Sequence, residues 1–545
     1  MRFFVTLFLA ATLPICLCSC GGGGGGGNGG DTEAPGNVSA LLATGGDNAV
    51  NLTWTNPQDG DLFGIRIMRK TDTPPANPQD GDVVFQGNST AFIDGTAIAG
   101  TSYYYALFTY DEVPNYSSGV STWIRVPIVE RVSVATGGTE GNNSSGDNAV
   151  PGVAIDQTGR YVVFASLASN LIGSDSNSAA DVFRHDRQTG TTIRVSVADD
   201  ESEANLAVAE YPHVNSSGNH VVFGAAATNL VLNDTNGQTD TFLRDVSGAS
   251  TERPSIADDE SQANSYSNGR RVSGDGNLVL FASPASNLVV GDSNGVFDIF
   301  LRNRGAGTTT RVSLDTANGD ANGLSQLPNI SRGGRYIVFV SAASDLVAGD
   351  TNGMNDIFWL DLSGGSIERV SVADDESQGN GAAAATLPAV SNDGRYVAFI
   401  SAASNLVSGD NNGAADAFVR DRILGTTVCV SRSTDGTLGN AATNYLTMCD
   451  SGQFIFFVST ATNLVDDDTN GHSDLFVHDR ISGKTTRLSL SLSGAQGNGN
   501  VLYPPAATSD GSFVAFVSRA SNLVTGDTNG DGDVFVVANT LFGSP

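Results

Sequence analysis

Lysine is almost missing from this chain. Lys70 and Lys484 are the only two, and 28 basic against 58 acidic residues leave a formal charge of −30. Such a surface repels phosphate backbones and anionic headgroups, which makes nucleic acid and anionic lipid surfaces poor partners. Cysteine is scarce as well. Of the five, Cys16, Cys18 and Cys20 lie in or at the end of an apolar leader, which leaves Cys429 and Cys449 for the folded body. On the strand assignment below, these two lie about three strand spacings apart, roughly 14 Å, beyond the Cα separation of about 7 Å that a disulfide tolerates. Stability therefore rests on a core rather than on staples, and a chain of 545 residues has length enough for one. Linear catalytic signatures are absent too: there is no Gly-x-Ser-x-Gly elbow, His-Glu-x-x-His, P-loop or dinucleotide fingerprint. Carboxylate pairs are so common here that none identifies a general acid or base. The five histidines are His185, His213, His220, His472 and His478. His185 and His478 share one third-strand position where other copies carry Arg, which predicts a surface role, while His220 replaces a strand aromatic and is expected to be packed.

What the chain does have is repetition. From Arg131 to the end it reads as seven copies of a unit of about 58 residues. The most constant phrase recurs as Gly159-Arg-Tyr-Val-Val-Phe164, Gly218-Asn-His-Val-Val-Phe223, Gly276-Asn-Leu-Val-Leu-Phe281, Gly334-Arg-Tyr-Ile-Val-Phe339, Gly394-Arg-Tyr-Val-Ala-Phe399, Gly452-Gln-Phe-Ile-Phe-Phe457 and Gly511-Ser-Phe-Val-Ala-Phe516. Each copy enters a β-branched and aromatic strand through a tight turn. In the fifth copy Leu387–Ser391, Arg395–Ile400, Asp416–Asp421 and Thr426–Ser431 predict four antiparallel strands. Units stacked radially bury both faces of such a sheet, which predicts an all-β, seven-bladed β-propeller. The seventh copy stops after its third strand, Asp533–Val537, and a spare fourth-strand sequence, Val129–Val134, precedes the first copy. Their pairing would close the ring and remove an open edge.

The phrase Pro-x-x-Ser-x-Asp-Gly-Arg-Tyr-x-x-Phe, followed by Asp-x-Phe-x-x-Asp, resembles the TolB-like, WD40-like (PD40) propeller repeat over roughly three quarters of the chain. The resemblance implies the fold. It leaves function open, because propellers of this appearance serve as scaffolds and some relatives carry lyase or peptidase sites. Nothing here matches the separate amino-terminal domain of TolB proper, so TolB's partners are not carried over.

Residues 1–19 read as a secretion signal, with Arg2 before an apolar stretch from Phe3 to Leu17 that is too short to span a membrane. Leu17-Cys-Ser-Cys20 resembles the bacterial lipobox, which implies lipidation of Cys20; ordinary cleavage without lipid is the alternative. Residues 20–33 form a glycine tether. Gly21 after the cysteine would, in the usual Gram-negative sorting rule, favour the outer membrane. Residues 34–127 alternate as sandwich strands between Pro, Gly, Asn and Asp turns. They resemble a fibronectin type III module, with Trp54 as core tryptophan and Tyr103 as corner tyrosine, and such a module is expected to act as a spacer. Residues 128–545 are the propeller.

The loop between the second and third strands carries a recurring Asp-x-Asn-Gly-x-x-Asp: Asp234, Asn236 and Asp240; Asp292, Asn294 and Asp298; Asp350, Asn352 and Asp356; Asp410, Asn412 and Asp416; Asp468, Asn470 and Asp474; Asp527, Asn529 and Asp533. The last copy adds Asp531, placing oxygens at positions 1, 3, 5 and 7 as Ca²⁺ would need. The first copy degenerates to Asp175, Asn177 and Asp181. An Asx turn, in which Asp and Asn bond their own backbone, explains the same residues without metal. A second acidic loop class, Ala198-Asp-Asp-Glu-Ser202, Ala257-Asp-Asp-Glu-Ser261 and Ala373-Asp-Asp-Glu-Ser377, is expected to form a solvated rim on the same face. These features predict a monomeric, lipid-anchored envelope protein that binds a protein or glycan through its acidic loop face without catalysis. The competing class is an envelope hydrolase or lyase acting on peptide or polysaccharide: histidines or basic residues from separate blades converging on the central channel would favour it, and an empty acidic channel would favour the binding module.

Overall fold

The computed structural model describes residues 32–46, 49–98, 100–126, 129–147, 152–208 and 212–543. The leader, Cys20 and most of the glycine tether lie outside the described residues. Every element is a strand.

The first unit contains β1 (Ser39–Gly46), β2 (Ala49–Thr55), β3 (Gly64–Lys70), β4 (Asp82–Gly87), β5 (Ala91–Asp94), β6 (Ser102–Tyr110) and β7 (Val120–Arg125). They form two sheets, β1-β2-β5 and β4-β3-β6-β7. Alternation decides what they bury: Val50, Leu52 and Trp54 from β2 pack against Ile65 and Ile67 from β3 and Tyr103, Tyr105 and Leu107 from β6. The Tyr103 hydroxyl accepts a bond from the Ile98 backbone N–H at 3.2 Å, tying the start of β6 to the loop before it.

From Val153 onward the chain forms seven antiparallel sheets of four strands. The seventh takes its fourth strand from β8 (Val129–Arg131), which pairs with Asp533–Ala538 through Arg131↔Phe535, Glu130↔Val536 and Val129↔Val537. The seven first strands, among them Val153–Ile155, His213–Val214, Asn268–Val272 and Ser325–Ile330, line one central channel. The sheets are therefore the blades of a β-propeller.

The recurring phrase has two packing roles. Its last residue, always Phe, lies opposite a third-strand Phe, giving seven ring pairs, from Phe164–Phe183 to Phe516–Phe535, with centroids 5.6–6.1 Å apart. These pairs sit in the middle of each blade, where both sheet faces are covered. The residue after Gly-Arg packs under the turn glycine of the next blade. Gly394 has φ +73°, and a Cβ there would stand 2.6 Å from the ring of Tyr336 in the preceding blade. The same neighbour relation joins Tyr396 to Gly452 and Phe454 to Gly511, and it returns from Phe513 to Gly159, so the contact runs round the ring. Glycine is needed here for its backbone and for the space it leaves.

The Asp-Asp-Glu-Ser loops lie in solvent, as expected of a rim, and they also bridge blades. Each folds into a hairpin that runs beside the outer strands of the next blade. The carboxylates of Asp199, Asp258 and Asp374 accept the backbone N–H groups of Thr251, Thr309 and Thr427 at 2.7 Å, and Glu201, Glu260 and Glu376 pair with Arg244, Arg302 and Arg420. They tie neighbouring blades together from the solvent side: each arginine is buried, while its glutamate side chain stays 61–66% exposed.

Candidate functional site

The residues expected as calcium ligands share one arrangement in six blades: a fourth-strand arginine stands between the first and last Asp of the loop. Arg253 lies 2.9 Å from Asp234 and 3.5 Å from Asp240, Arg311 3.3 Å from Asp292 and 3.5 Å from Asp298, and Arg369 3.0 Å from Asp350 and 3.9 Å from Asp356. Arg487 lies 2.9 Å from Asp468 and 3.3 Å from Asp474, and Arg131 3.5 Å from Asp527 and 3.6 Å from Asp533. Arg194 meets Asp175 and Asp181 of the degenerate first loop in the same way. Three of these arginines also hold a carboxylate from the following connection, Glu140, Glu203 or Asp320, each at 2.6 Å.

The central asparagine points its amide nitrogen, not its oxygen, at the last Asp. Asn236, Asn294, Asn352, Asn412, Asn470 and Asn529 donate to Asp240, Asp298, Asp356, Asp416, Asp474 and Asp533 at 2.7–3.3 Å. The Asn529 oxygen accepts the Asp531 N–H at 2.9 Å, and the Asp531 carboxylate turns away to accept from Ser144 at 3.3 Å. These contacts are those of an Asx turn enclosing a guanidinium. Glu140, Asp527 and Asp533 do converge closely enough to share an ion, as do Asp175, Asp181 and Glu203. Burial, and then the neighbouring carboxylate, push Asp292 and Asp527 up to about 6.

Blade five departs from the pattern. Cys429 stands where the arginine belongs, and Leu438 replaces the acid or amide of the following connection. Asp416 keeps its bonds from Ser431 at 2.6 Å and Asn412 at 2.7 Å, and burial raises both Asp410 and Asp416. Burial pushes the Cys429 thiol up to about 12. An open groove of about 1000 Å³ lies beside it, lined in part by Asn412, Leu438 and Gly439. Cys429 and Cys449 are both free and buried.

Two histidines need correction. His185 and His478 are not surface groups: both are buried, and each Nδ1 lies 2.9 Å from a threonine hydroxyl, Thr192 or Thr485. Arginine at this position reaches a glutamate in the hairpin of the preceding connection, and the connections before these two blades carry glycine, Gly138 or Gly436, at that hairpin position. The shorter ring is thereby left within its own blade. His220 is half-buried, against the turn Gly276.

Chemistry that no linear motif announced is found in the channel. Its cavity, about 170 Å³, draws side chains from all seven first strands. At one register the blades contribute Ala154, His213, Arg271, Asn329, Ala389, Thr447 and Ala506. Three consecutive blades thus give a polar arc, and the others give small residues facing it. Arg271 Nε donates to Asn329 Oδ1 at 3.1 Å, Asn329 Nδ2 donates to the Pro388 carbonyl at 2.9 Å, and His213 Nδ1 accepts the Val272 N–H at 3.2 Å. The arc is chained from blade two to blade five. Among the described residues no carboxylate pairs with Arg271, and burial together with the adjacent Arg270 guanidinium pulls it down to about 9, still charged at neutral pH. Burial, then Arg271 and Arg332, hold His213 well below the usual histidine range, so it is neutral.

Backbone irregularity accompanies these residues. The register shifts between Gly269 and Arg271, Gln326 and Asn329, and Leu502 and Ala506, and Leu327 and Tyr503 adopt φ values of +53° and +59°. Bulges and left-handed non-glycine residues are features that aim side chains into sites. At the turn end the channel is crossed by Arg332, which donates to Asp450 of blade six at 2.8 Å and to Ser216 of blade two at 3.3 Å. Backbone bonds link the turns in sequence there, from Gln157→Ser216 through Ser216→Gly274 and Gly274→Arg332 to Asn392→Asp450. Arg271 and His213 were discoverable: aligning the seven first strands shows Arg271 as the one charged residue at its register.

No family model and no curated protein matches this chain. Similar solved structures include a protein assigned as TolB from Agrobacterium tumefaciens, at 14% identity over 68% of this chain and 88% of that one, TM-score 0.32. Oligogalacturonate lyase from Vibrio parahaemolyticus is 11% identical over 76% and 97%, TM-score 0.44. The Dos1 propeller is 10% identical over 75% and 93%, TM-score 0.35.

Proposed function

We infer that this is a cell-envelope lipoprotein, anchored through Cys20 at the outer membrane, in which a fibronectin type III-like spacer carries a propeller that binds the anionic group of a protein or glycan ligand in its central channel, as a monomer and without catalysis. The lipobox and glycine tether support the anchor. The two-sheet order, buried Trp54 and the Tyr103 hydroxyl bond support the spacer. The observation that carries the function is Arg271: a guanidinium deep in a protein of charge −30, with no carboxylate paired to it among the described residues. Arg271 is half-buried in the channel wall, and a charge partly withdrawn from water without a counter-ion is costly unless a ligand matches it. The loop acids, in contrast, are largely matched by arginine within the fold, which moves the binding site from the acidic face to the channel.

Thermal melts of the mature chain across small anions test the channel. At least one anion raises the wild-type melting temperature and fails to raise that of Arg271→Met. If no anion acts, or the gain survives the substitution, the channel is not the site. Metabolic labelling with a palmitate analogue tests the anchor, and equal labelling of Cys20→Ala would remove it. Calcium at the last loop is a separate proposal: it would displace Arg131 from Asp527 and Asp533 and raise the melting temperature, and an identical transition in chelator would end it.

A second reading, an envelope hydrolase or lyase, has in its favour the convergence expected of it: His213, Arg271 and Arg332 come from separate blades to the channel, so a proton-carrying group and a charge-stabilising group share the cavity. Turnover of an acidic oligosaccharide or peptide, lost in His213→Ala while anion binding persists, would establish it.

A further inference from the structure

We propose that the group held in the channel is an organic monocarboxylate, gripped by the Arg271 fork with the Nε2–H of His213 as a further donor. This deepens the channel-binding reading and rests on it. Three observations select that chemistry.

The first is charge. Arg332 is matched by Asp450, and Arg270 is engaged in interactions of its own, so Arg271 is the channel cation whose charge no carboxylate neutralises among the described residues. One negative charge neutralises it. A second would stand unpaired in the same enclosed space, which is costly away from water.

The second is the donor set. A guanidinium has five N–H groups; Nε is given to Asn329 and one Nη1 hydrogen to the Arg270 carbonyl at 2.8 Å, which leaves three. His213 accepts at Nδ1, so its proton sits on Nε2 and can be donated. Parallel guanidinium hydrogens match the two oxygens of a planar carboxylate. The fork is also held in place beforehand, since Asn329 is tied to the Pro388 carbonyl of the next blade and Arg271 follows a bulge.

The third is the wall. Leu327, Ile330, Leu387, Tyr445, Pro504 and Pro505 surround the polar arc. An inorganic oxyanion would leave that apolar surface unused, whereas the body of an organic acid covers it. By liquid volume the cavity holds about six waters, enough for a small ring or chain.

The test uses the full mature chain, with lactate, benzoate and glucuronate compared against sulfate and inorganic phosphate by thermal shift and calorimetry. Expected is a melting-temperature rise with at least one carboxylate, an affinity loss of about 100-fold in Arg271→Met, and an intermediate loss in Arg271→Lys, which keeps the charge and loses the fork. Tighter binding of sulfate or phosphate than of every carboxylate overturns the monocarboxylate assignment and leaves channel binding standing. Inertness of the three carboxylates also overturns it. If Arg271→Lys binds like wild type, charge alone suffices and the fork has no role. Inertness of all five anions sinks the channel reading as well.

Discussion

Two of the settings in which this propeller places arginine differ in whether they leave it with work to do. On each blade except the fifth, a fourth-strand arginine is enclosed by the two aspartates of its own loop, so its charge is spent inside the fold. In the channel, Arg271 has an asparagine oxygen and a backbone carbonyl for partners and no carboxylate among the described residues. Identical side chains are structural in one place and available in the other because of where the countercharge lies. Blade five is the reverse case: Asp410 and Asp416 keep the loop and lack the arginine.

The largest effect is expected where that enclosure is broken. Arg311→Ala strands Asp292, Asp298 and Asp320 around an empty space, and all but Asp320 are almost wholly buried. The loss should be about 3–5 kcal/mol by urea denaturation. Adding Asp292→Asn and Asp298→Asn to that variant should recover part of it; no recovery would mean that packing, not charge, holds the loop. Arg271→Met should behave oppositely, leaving stability unchanged or slightly raised, because it removes a half-buried charge that no carboxylate matches among the described residues. A loss as large as that of Arg311→Ala would erase the distinction between the two settings.

Blade five sharpens the comparison. Cys429→Arg with Leu438→Gln rebuilds the arrangement of its siblings and should gain about 1 kcal/mol. A destabilised double variant would show that the blade has repacked around its thiol. The smallest effect concerns pH. Asp292 titrates at about 6 in the folded chain, above an unfolded carboxylate near 4. Its contribution is therefore full below about pH 4 and lost as pH rises through about 6. Asp292→Asn should melt higher than wild type at pH 7.5 by an amount worth a few tenths to about 1 kcal/mol after solvent screening, and the difference should vanish near pH 4. The same difference at both values would mean that the carboxylate is not burdened by its surroundings.

Much of the architecture was legible. The period of the repeat, the turn glycine and the alternating strands sufficed for an all-β propeller, because each is a local pattern that recurs. Other pairings were present but harder to see: arginine occurs at positions 244, 302 and 420 where the preceding connection carries Glu201, Glu260 or Glu376, and His185 and His478 follow connections with Gly138 or Gly436 at that position. The two halves of each pair lie more than 40 residues apart, so no window of strand length contains both. That is why the cross-blade pairing of the glutamates was not seen and the histidines suggested a surface role.

By itself the sequence determined the blade, since backbone turns, strand periodicity and the facing phenylalanines are properties of a single repeat. It also determined the excess of negative charge. Which charges are left over was decided only by the closed ring, because neutralisation depends on distances of 3–4 Å between side chains that different strands and blades supply. Ring closure brings His213, Arg271 and Asn329 from three blades to one height in the channel, and it sets Arg332 across to Asp450. No single repeat contains that site.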